Sequence, residues 1–518
     1  MPAAGRSLRA VTVEVGGRLT IDDVLAAARG EPVALAPQAR GRMLAARRVV
    51  DDKLAAGDTV YGVTTGFGAL ANVRLTHEQG RQVQHSLLRS HAVGVGAPLS
   101  DEEVRAMLVL RAHVLALGHS GVRPVVVERL LQFLERGALP VVPEQGSLGA
   151  SGDLAPLAHL ALPLIGDGEV AFDGRRMHAA DALKQMGIEP LALEAKEGLA
   201  LINGTQAMLA VGLLASARGL ALAKAADVVA AMTVEGILGT DRAFDERLQR
   251  LRPHPGQVAS AANLRNLLRG SDIVASHRDS DHLVQDAYSL RCVPQVHGAF
   301  RDVLSFAQSV LEREVGSVTD NPIVLPDDAE IVAGGNFHGQ PVAVAMDALA
   351  AAAVGVASIS DRRLYRLLDP HTNNELPPFL VAGSGLNSGY MIVQYTAASL
   401  VSECKTLAHP ASVDSIPSSA GQEDHVSMGM TAARHARDIV TNVEVVVAIE
   451  ALAAAQALDL RRPLAPAAAT GAARTAVRGA VPFLEADRPL KPDIDAAVEL
   501  LRSGALVAAV EAAVGPLD

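Results

Sequence analysis

A mainly helical protein, with long core helices and functional loops at their ends, is the fold class this sequence predicts. Three observations predict it. Alanine and leucine dominate a composition that is 49% hydrophobic and only 3% aromatic, and both favour helix over strand. Helix start and stop signals recur along the chain. Strands and helices do not alternate, which argues against a doubly wound sheet. The 518 residues suffice for two to four domains or one large multi-part fold.

The elements follow in order. "VTVEV", ending at Val15, alternates apolar and polar residues and predicts a short strand. "SDEEVRAMLVLRAHVLALG" opens with a capping box, Ser100 and Glu103, and runs to Gly118. Pro124 starts a helix that stops at Gly137. Thr205 is placed to cap a long helix from about Gln206, and Pro294, Pro341 and Ser419 mark further starts. From about Gln340 to Leu460 the pattern is long helices separated by Gly/Pro loops. Two apolar stretches, "AVGLLASARGLALAKAADVVAAM" and "AMDALAAAAVGVASIS", are Ala-rich and broken by charge or Gly. They read as buried bundle helices, not membrane spans.

Charge and cysteine usage narrow the class. Net charge is -11, from 46 basic and 57 acidic residues, with no basic block to hold nucleic acid. Two cysteines, Cys292 and Cys404, cannot form a disulfide framework, which fits the cytoplasm. The N-terminal "MPAAGRSLRAVTVEVGG" lacks the apolar core of a signal peptide. No H-E-x-x-H and no paired Cys occur, so no metal is expected.

Several segments could carry chemistry, and each has a plain alternative. "GSLGASGDLAPLAHLAL" packs small residues before an apolar run. It lacks the second glycine and preceding strand of a nucleophile elbow, and the Gly-Lys-Ser/Thr of a P-loop. Alone it reads as a Gly turn with Asp153 near a helix start. Tyr61 lies in the Gly-rich "VYGVTTGFG", either packing the loop or presenting its phenol. His91 follows Gln84, Leu87 and Leu88 on one helical stripe, where a core histidine is the commoner reading. "LINGTQ" is an Asn-Gly turn before a helix. Tyr288 and Arg291, three apart, share a face if helical; the arginine suits a carboxylate or a structural ion pair. Phe337 and His338 sit in the loop-like "GGNFHG". Ser419 with Gln422 reads as a capping box, with Glu423 and Asp424 as first-turn acids.

Together, "YGVTTGFG", "GSLGASGDLAPLAH", "LINGTQ", "VQDAYSLRC", "SVTDNP", "GGNFHG" and "SIPSSAGQEDHVSMG", in this order, resemble the histidine ammonia-lyase family of the aromatic amino acid ammonia-lyases. The resemblance runs from about Leu19 to the C-terminus. It implies a long-helix bundle of the ammonia-lyase and fumarase type with a loop-built active site. Residues 1–115 would form an N-terminal region with the tyrosine loop and a substrate-selecting helix. Residues 116–460 would form the central bundle, and 461–518 the C-terminal helices.

The implied cofactor is 4-methylideneimidazol-5-one, made autocatalytically from Ala150, Ser151 and Gly152, with no external cofactor. The Gly152 nitrogen would attack the Ala150 carbonyl, and Ser151 would become a dehydroalanine unit. Small residues suit a backbone that bends back on itself. Such an electrophile improves the amine as a leaving group while a base takes the β-proton. By the same resemblance Tyr61 is that base and Arg291 holds the substrate carboxylate. Asn203, Gln285 and the catalytic Tyr288 line electrophile and substrate, with Phe337 beside them. Ser90-His91 and Gln422-Glu423 match the histidine-type pattern, where tyrosine and phenylalanine lyases carry other pairs. An imidazole can satisfy polar groups that a phenyl ring would leave unpaired. The implied reaction converts L-histidine to trans-urocanate and ammonia, in a homotetramer with sites shared between subunits. Thr64, Gly316, Cys404 and Gly421 depart from the pattern; Thr64 and Gly421 lie near the implied site and bear on rate and substrate breadth. The alternatives are a tyrosine or phenylalanine lyase or aminomutase with the same electrophile, and a catalytically dead helical scaffold.

Overall fold

The computed structural model describes residues 12–66, 76–279 and 284–518. Helix dominates, and the strands are short pieces in four small sheets among the described residues. The chain divides into two compact units. One holds residues up to Leu214, with Gln308–Met346 and Pro410–Arg434. The other holds Ala215–Ala307, Asp347–His409 and His435–Asp518.

In the first unit, "VEV" forms the strand Val13–Val15, its valines buried and Glu14 exposed, paired in parallel with Val33–Leu35. The capping box of Ser100 and Glu103 forms and opens the helix Asp101–Ala116. That helix is buried without a break from Ala106 to Ala116, so it lies in a core rather than on a surface. Pro124–Arg136 ends at Gly137, whose φ of 65° is the left-handed stop the sequence implies. Two further capping boxes, Thr20 with Asp23 and Thr76 with Gln79, open the helices Ile21–Ala28 and His77–His91. A hairpin joins Glu169–Phe172 to Arg175–His178 across Asp173-Gly174, both at positive φ, as a tight two-residue turn requires.

Two expectations are corrected. The helix Gln206–Gly236 starts where expected, but the Thr205 hydroxyl donates to Glu314 Oε1 at 2.6 Å. Ser419 and Gln422 do not open a helix. Ser419–Gly421 is one short 3-10 turn with no side-chain cap, and Ser419 and Ala420 have φ near 50°. The next helix begins at Gly429. Glu423 is therefore not a first-turn acid; it pairs through its backbone with Ser418.

The second unit carries the greater part of the long helices Gln206–Gly236, Gln340–Leu368 and Gly429–Leu460. The two apolar stretches lie in the first two of these. By length and composition both pass for membrane spans, yet 72% and 61% of their apolar windows are buried within the protein. They are core helices. A buried ion pair ties the unit together: Arg363 donates to both Glu450 oxygens at 2.6 and 2.8 Å. Thr233 and Ser360 donate to the same carboxylate. Four donors thus meet its two oxygens, the condition under which a buried pair is tolerated.

His113, buried in the first unit, gives a pH prediction. Its Nδ1 accepts the Gly16 N–H at 3.1 Å. Burial, with the Arg42 charge, lowers its pKa from 6.5 to about 4. The unfolded chain therefore takes up a proton near pH 6.5 that the folded chain refuses until about pH 4. Stability present at neutral pH is lost as pH falls through this window, by about 3 kcal/mol in full. His113→Asn keeps an acceptor for Gly16 and removes the titration. Its unfolding free energy in urea should fall by about 2 kcal/mol less than the parent's between pH 7 and 5. Equal losses in the two proteins would refute this.

Candidate active site

The segment around Ser151 is sharply bent. Gly149, Ser151 and Gly152 all have positive φ, at 87°, 52° and 79°, and Gly149 and Gly152 bridge each other. A serine in this conformation is strained. The surroundings hold it there. Gly204 N–H donates to Ser151 O at 3.2 Å, and Gly204 O accepts the Asp153 N–H at 2.7 Å. Any side chain at Gly152 would run into the Gly204 carbonyl, and one at Gly149 into Ser427 Oγ. Only glycine fits either place. Ala150, Ser151 and Gly152 therefore fit a backbone-derived ring: they are small, bent back and gripped on both sides.

Asp153 closes the segment and is fully buried. Its carboxylate accepts from Ser147 Oγ and Met208 N–H, both at 2.8 Å. Burial raises its pKa to about 6 against the pull of these hydrogen bonds. Sequence reasoning placed Asp153 only as a residue near a helix start.

Around Ser151 opens a cavity of about 510 Å³. Tyr61, His91, Ser151 and Glu423 line it, with apolar walls from Leu87, Leu154, Leu199 and Ile202. Four residues singled out in four separate motifs thus meet in one space. Tyr61 comes from a turn that Gly62 rounds at φ 67°. Thr64, the departure noted above, ties this turn down: its hydroxyl accepts from Val60 N–H at 2.8 Å and donates to Asp58 O at 2.9 Å.

His91 ends the His77–His91 helix, half-buried, below the buried Gln84, Leu87 and Leu88. Its Nδ1 lies 2.9 Å from Leu87 O. A carbonyl oxygen only accepts, so Nδ1 carries the proton and Nε2 of the neutral ring is an acceptor. Burial lowers the His91 pKa, opposed by the Leu87 bond and the Glu423 charge. Glu423 Oε2 accepts from Ser418 Oγ at 3.0 Å, and Oε1 lies 3.4 Å from Ser151 Oγ. The cavity therefore offers two acceptors, one of them anionic, beside apolar walls.

The remaining residues lie elsewhere. Asn203 is buried next to Gly204. Gln422 is exposed, Phe337 is half-buried, and neither lines the cavity; His338 stacks on His425 at 5.7 Å. Gln285, Tyr288 and Arg291 belong to the second unit. There Tyr288 and Arg291 do share a face: the guanidinium lies 4.6 Å above the tyrosine ring. Tyr288 and Gln285 are exposed, and Arg291 Nε is buried without a hydrogen-bond partner among the described residues.

Comparison with known proteins places the chain in a family. The family model described as aromatic amino acid lyase matches residues 19–479. The histidine ammonia-lyase of Sorangium cellulosum (strain So ce56) is 57% identical over 500 residues, covering 95% of this chain and 97% of that protein. The histidine ammonia-lyase of Symbiobacterium thermophilum is 54% identical over 507 residues, covering 98% and 99%. Among solved structures, histidine ammonia-lyase from Trypanosoma cruzi superposes with a TM-score of 0.90 at 43% identity, covering 97% of this chain and 96% of that one. Tyrosine aminomutase from Streptomyces globisporus gives 0.92 at 39% identity, covering 98% and 100%.

Proposed function

This chain belongs to the aromatic amino acid lyase family and is a carbon–nitrogen lyase, and from that premise we propose that it acts as a histidine ammonia-lyase. It removes ammonia from L-histidine without oxidation and releases trans-urocanate, the first step of histidine degradation. The observation that carries this reading is the meeting of Tyr61, His91, Ser151 and Glu423 on one cavity. The relatives named histidine ammonia-lyase support the choice of substrate.

The residues divide the work. When formed from Ala150, Ser151 and Gly152, the 4-methylideneimidazol-5-one ring supplies the electrophile that makes the substrate nitrogen a leaving group. Tyr61 takes the β-proton through its phenol oxygen. Arg291 holds the substrate carboxylate, with Tyr288 beside it. Asn203, Gln285, Phe337 and Gln422 complete the substrate's surroundings. Glu423 and His91 Nε2 are the acceptors available to the one N–H of the neutral imidazole. We place the enzyme in the cytoplasm as a homotetramer with shared sites; both cysteines are free, and Tyr288, Tyr395 and Ile392 stand largely exposed, as side chains awaiting a neighbouring subunit would.

The test is a substrate panel. L-histidine should be consumed with stoichiometric urocanate and ammonia, and L-tyrosine and L-phenylalanine far more slowly. Glu423→Gln should lower kcat/KM for histidine by about tenfold to a hundredfold, the worth of one hydrogen bond to a charged group. His91→Leu should shift preference toward flat apolar rings, since it removes a half-buried polar group that such rings leave unpaired. If the ratios among the three substrates stay fixed in both variants, these residues do not choose the substrate. Preferred turnover of tyrosine by the parent enzyme would favour the aminomutase-like reading instead.

A further inference from the structure

Behind the Ser151 segment lies a charged cluster to which the mechanism gives no task. Lys196 and Asp320 are both fully buried, and Lys196 Nζ donates to Asp320 Oδ2 at 2.7 Å. Lys196 also holds a φ of 77° at the start of the helix Glu197–Ile202, a conformation a lysine seldom takes. Burial lowers its pKa, opposed by Asp320. A second buried cation, Arg111, donates from Nη1 to Asn203 O at 2.7 Å and Gln206 Oε1 at 2.8 Å. Two cations and a carboxylate withdrawn from water need a reason beyond stability.

The hydrogen bonds around Asn203 supply one. Its Nδ2 donates to Asp320 Oδ1 at 3.2 Å and to Asn321 O at 2.7 Å. Both partners are acceptors only, so the amide cannot turn over without facing oxygen to oxygen. Asp320 Oδ1 is itself fixed, accepting the Asn321 N–H at 2.7 Å. At the other end, Asn203 Oδ1 is buried with no hydrogen-bond partner among the described residues. An orphaned buried acceptor is costly and calls for a function. Asn203 adjoins Gly204, whose backbone clasps Ser151 and Asp153.

We infer that the Lys196–Asp320 pair is a positioning device for Asn203, holding its nitrogen inward so that its oxygen is the acceptor it offers to an N–H of the substrate. The inference rests on the proposed function only in placing Asn203 in the substrate site. Lys196 is the charge partner that occupies Asp320 Oδ2, and Asp320 Oδ1 is the part that reads the amide.

The roles separate by mutation. In Asp320→Asn one oxygen remains, and the lysine ammonium claims it, because charged donors bind an acceptor more strongly than neutral ones. The new amide nitrogen then faces both the Asn203 nitrogen and the Asn321 N–H, while Asn321 O still accepts from Asn203, so the Asn203 amide is pushed out of its fixed setting. We expect kcat to fall by about 10- to 100-fold, the usual span for coupled polar neighbours, with KM changed less than about threefold. In Lys196→Met the carboxylate still accepts from Asn203. That variant should be less stable but keep kcat within about threefold. The decisive variant combines the two. With the lysine gone, the one oxygen left at position 320 returns to Asn203, and K196M/D320N should recover at least about tenfold in kcat over D320N.

A merely structural pair would instead give a double variant as poor as D320N or poorer, and that result overturns the inference. So does a D320N enzyme within about threefold of the parent. Intact mass is the second readout. All variants should keep the deficit of about 36 Da for two lost waters; a D320N protein that retains both waters has lost the electrophile, not the orientation, and refutes the proposal. Should D320N fail to accumulate, N203D/D320N restores a donor–acceptor pair between the two positions and should exceed N203D by at least about tenfold in kcat; parity between them counts against the device. A parent enzyme inactive on L-histidine but active on another aromatic amino acid sinks the proposed substrate alone, and the same comparison then runs on that amino acid.

Discussion

Ser151→Ala should yield a folded protein that deaminates L-histidine at least about 10³-fold more slowly than the parent, the scale seen when a covalently acting group is removed. The local structure isolates this effect from stability. Alanine at φ 52° is strained no more than serine there, because the strain belongs to any side chain with a Cβ. Among the described residues, the Ser151 hydroxyl approaches Glu423 Oε1 at 3.4 Å, at the outer limit of hydrogen bonds and worth at most about 1 kcal/mol. The thermal midpoint should therefore barely move. What alanine lacks is the hydroxyl whose departure would create the exocyclic methylene of the proposed ring. The parent should weigh about 36 Da less than its sequence, two waters, and the variant should not show that deficit. Parent-like turnover in Ser151→Ala would remove the electrophile from the mechanism.

Tyr61→Phe should lower kcat by roughly 10²–10⁴-fold, the range for losing a general base, while a non-reactive histidine analogue binds nearly as before. The ring stays to fill the cavity wall beside Ser151 and His91, so packing is conserved and only the phenol oxygen is lost. The deficit of about 36 Da should persist, since Tyr61 lies outside Ala150, Ser151 and Gly152, the proposed source of the ring. Collapse of analogue binding with kcat intact would make Tyr61 a binding residue and reassign the base.

The sequence was legible where the signal is local. The capping box at Ser100 and Glu103 and the stop at Gly137 depend on a few neighbouring residues, and both formed as read. The same kind of signal failed at Ser419 and Gln422. The pattern is present, but left-handed turns at Ser419 and Ala420 and the bridge from Ser418 to Glu423 carry the chain past it. Thr205 failed differently: its hydroxyl went to Glu314, 109 positions away, a partner no local pattern encodes.

Of the candidate site, the motifs were visible and their meeting was not. Nothing in the spacing of Tyr61, His91, Ser151 and Glu423 says that they face one cavity. Resemblance supplied that grouping, and the cavity lining gives it a physical form. The supports were harder still to see. Asp153 stood in an apolar run, Asp320 lay unassigned in "SVTDNP", and Lys196 was the lone basic residue in "LALEAKEGLALING". A single charge before an apolar run is the signal that would have found Asp153, since an unpaired charge is rarely buried; Lys196, between Glu194 and Glu197, and Asp320, among polar neighbours, carry no such signal.

The clasp on the Ser151 segment also sets a timetable. Its grip comes from Gly204 on one side and Ser427 on the other. Ser427 is synthesised 276 residues after Ser151. At about 5–20 residues per second, a ribosome needs on the order of fifteen to sixty seconds to cover that distance. Throughout that interval the emerging chain can offer Ala-Ser-Gly at most the Gly204 side of the clasp. Any covalent maturation that depends on both sides waits for the late segment, so a molecule truncated before Ser427, or folded wrongly around it, stays unarmed.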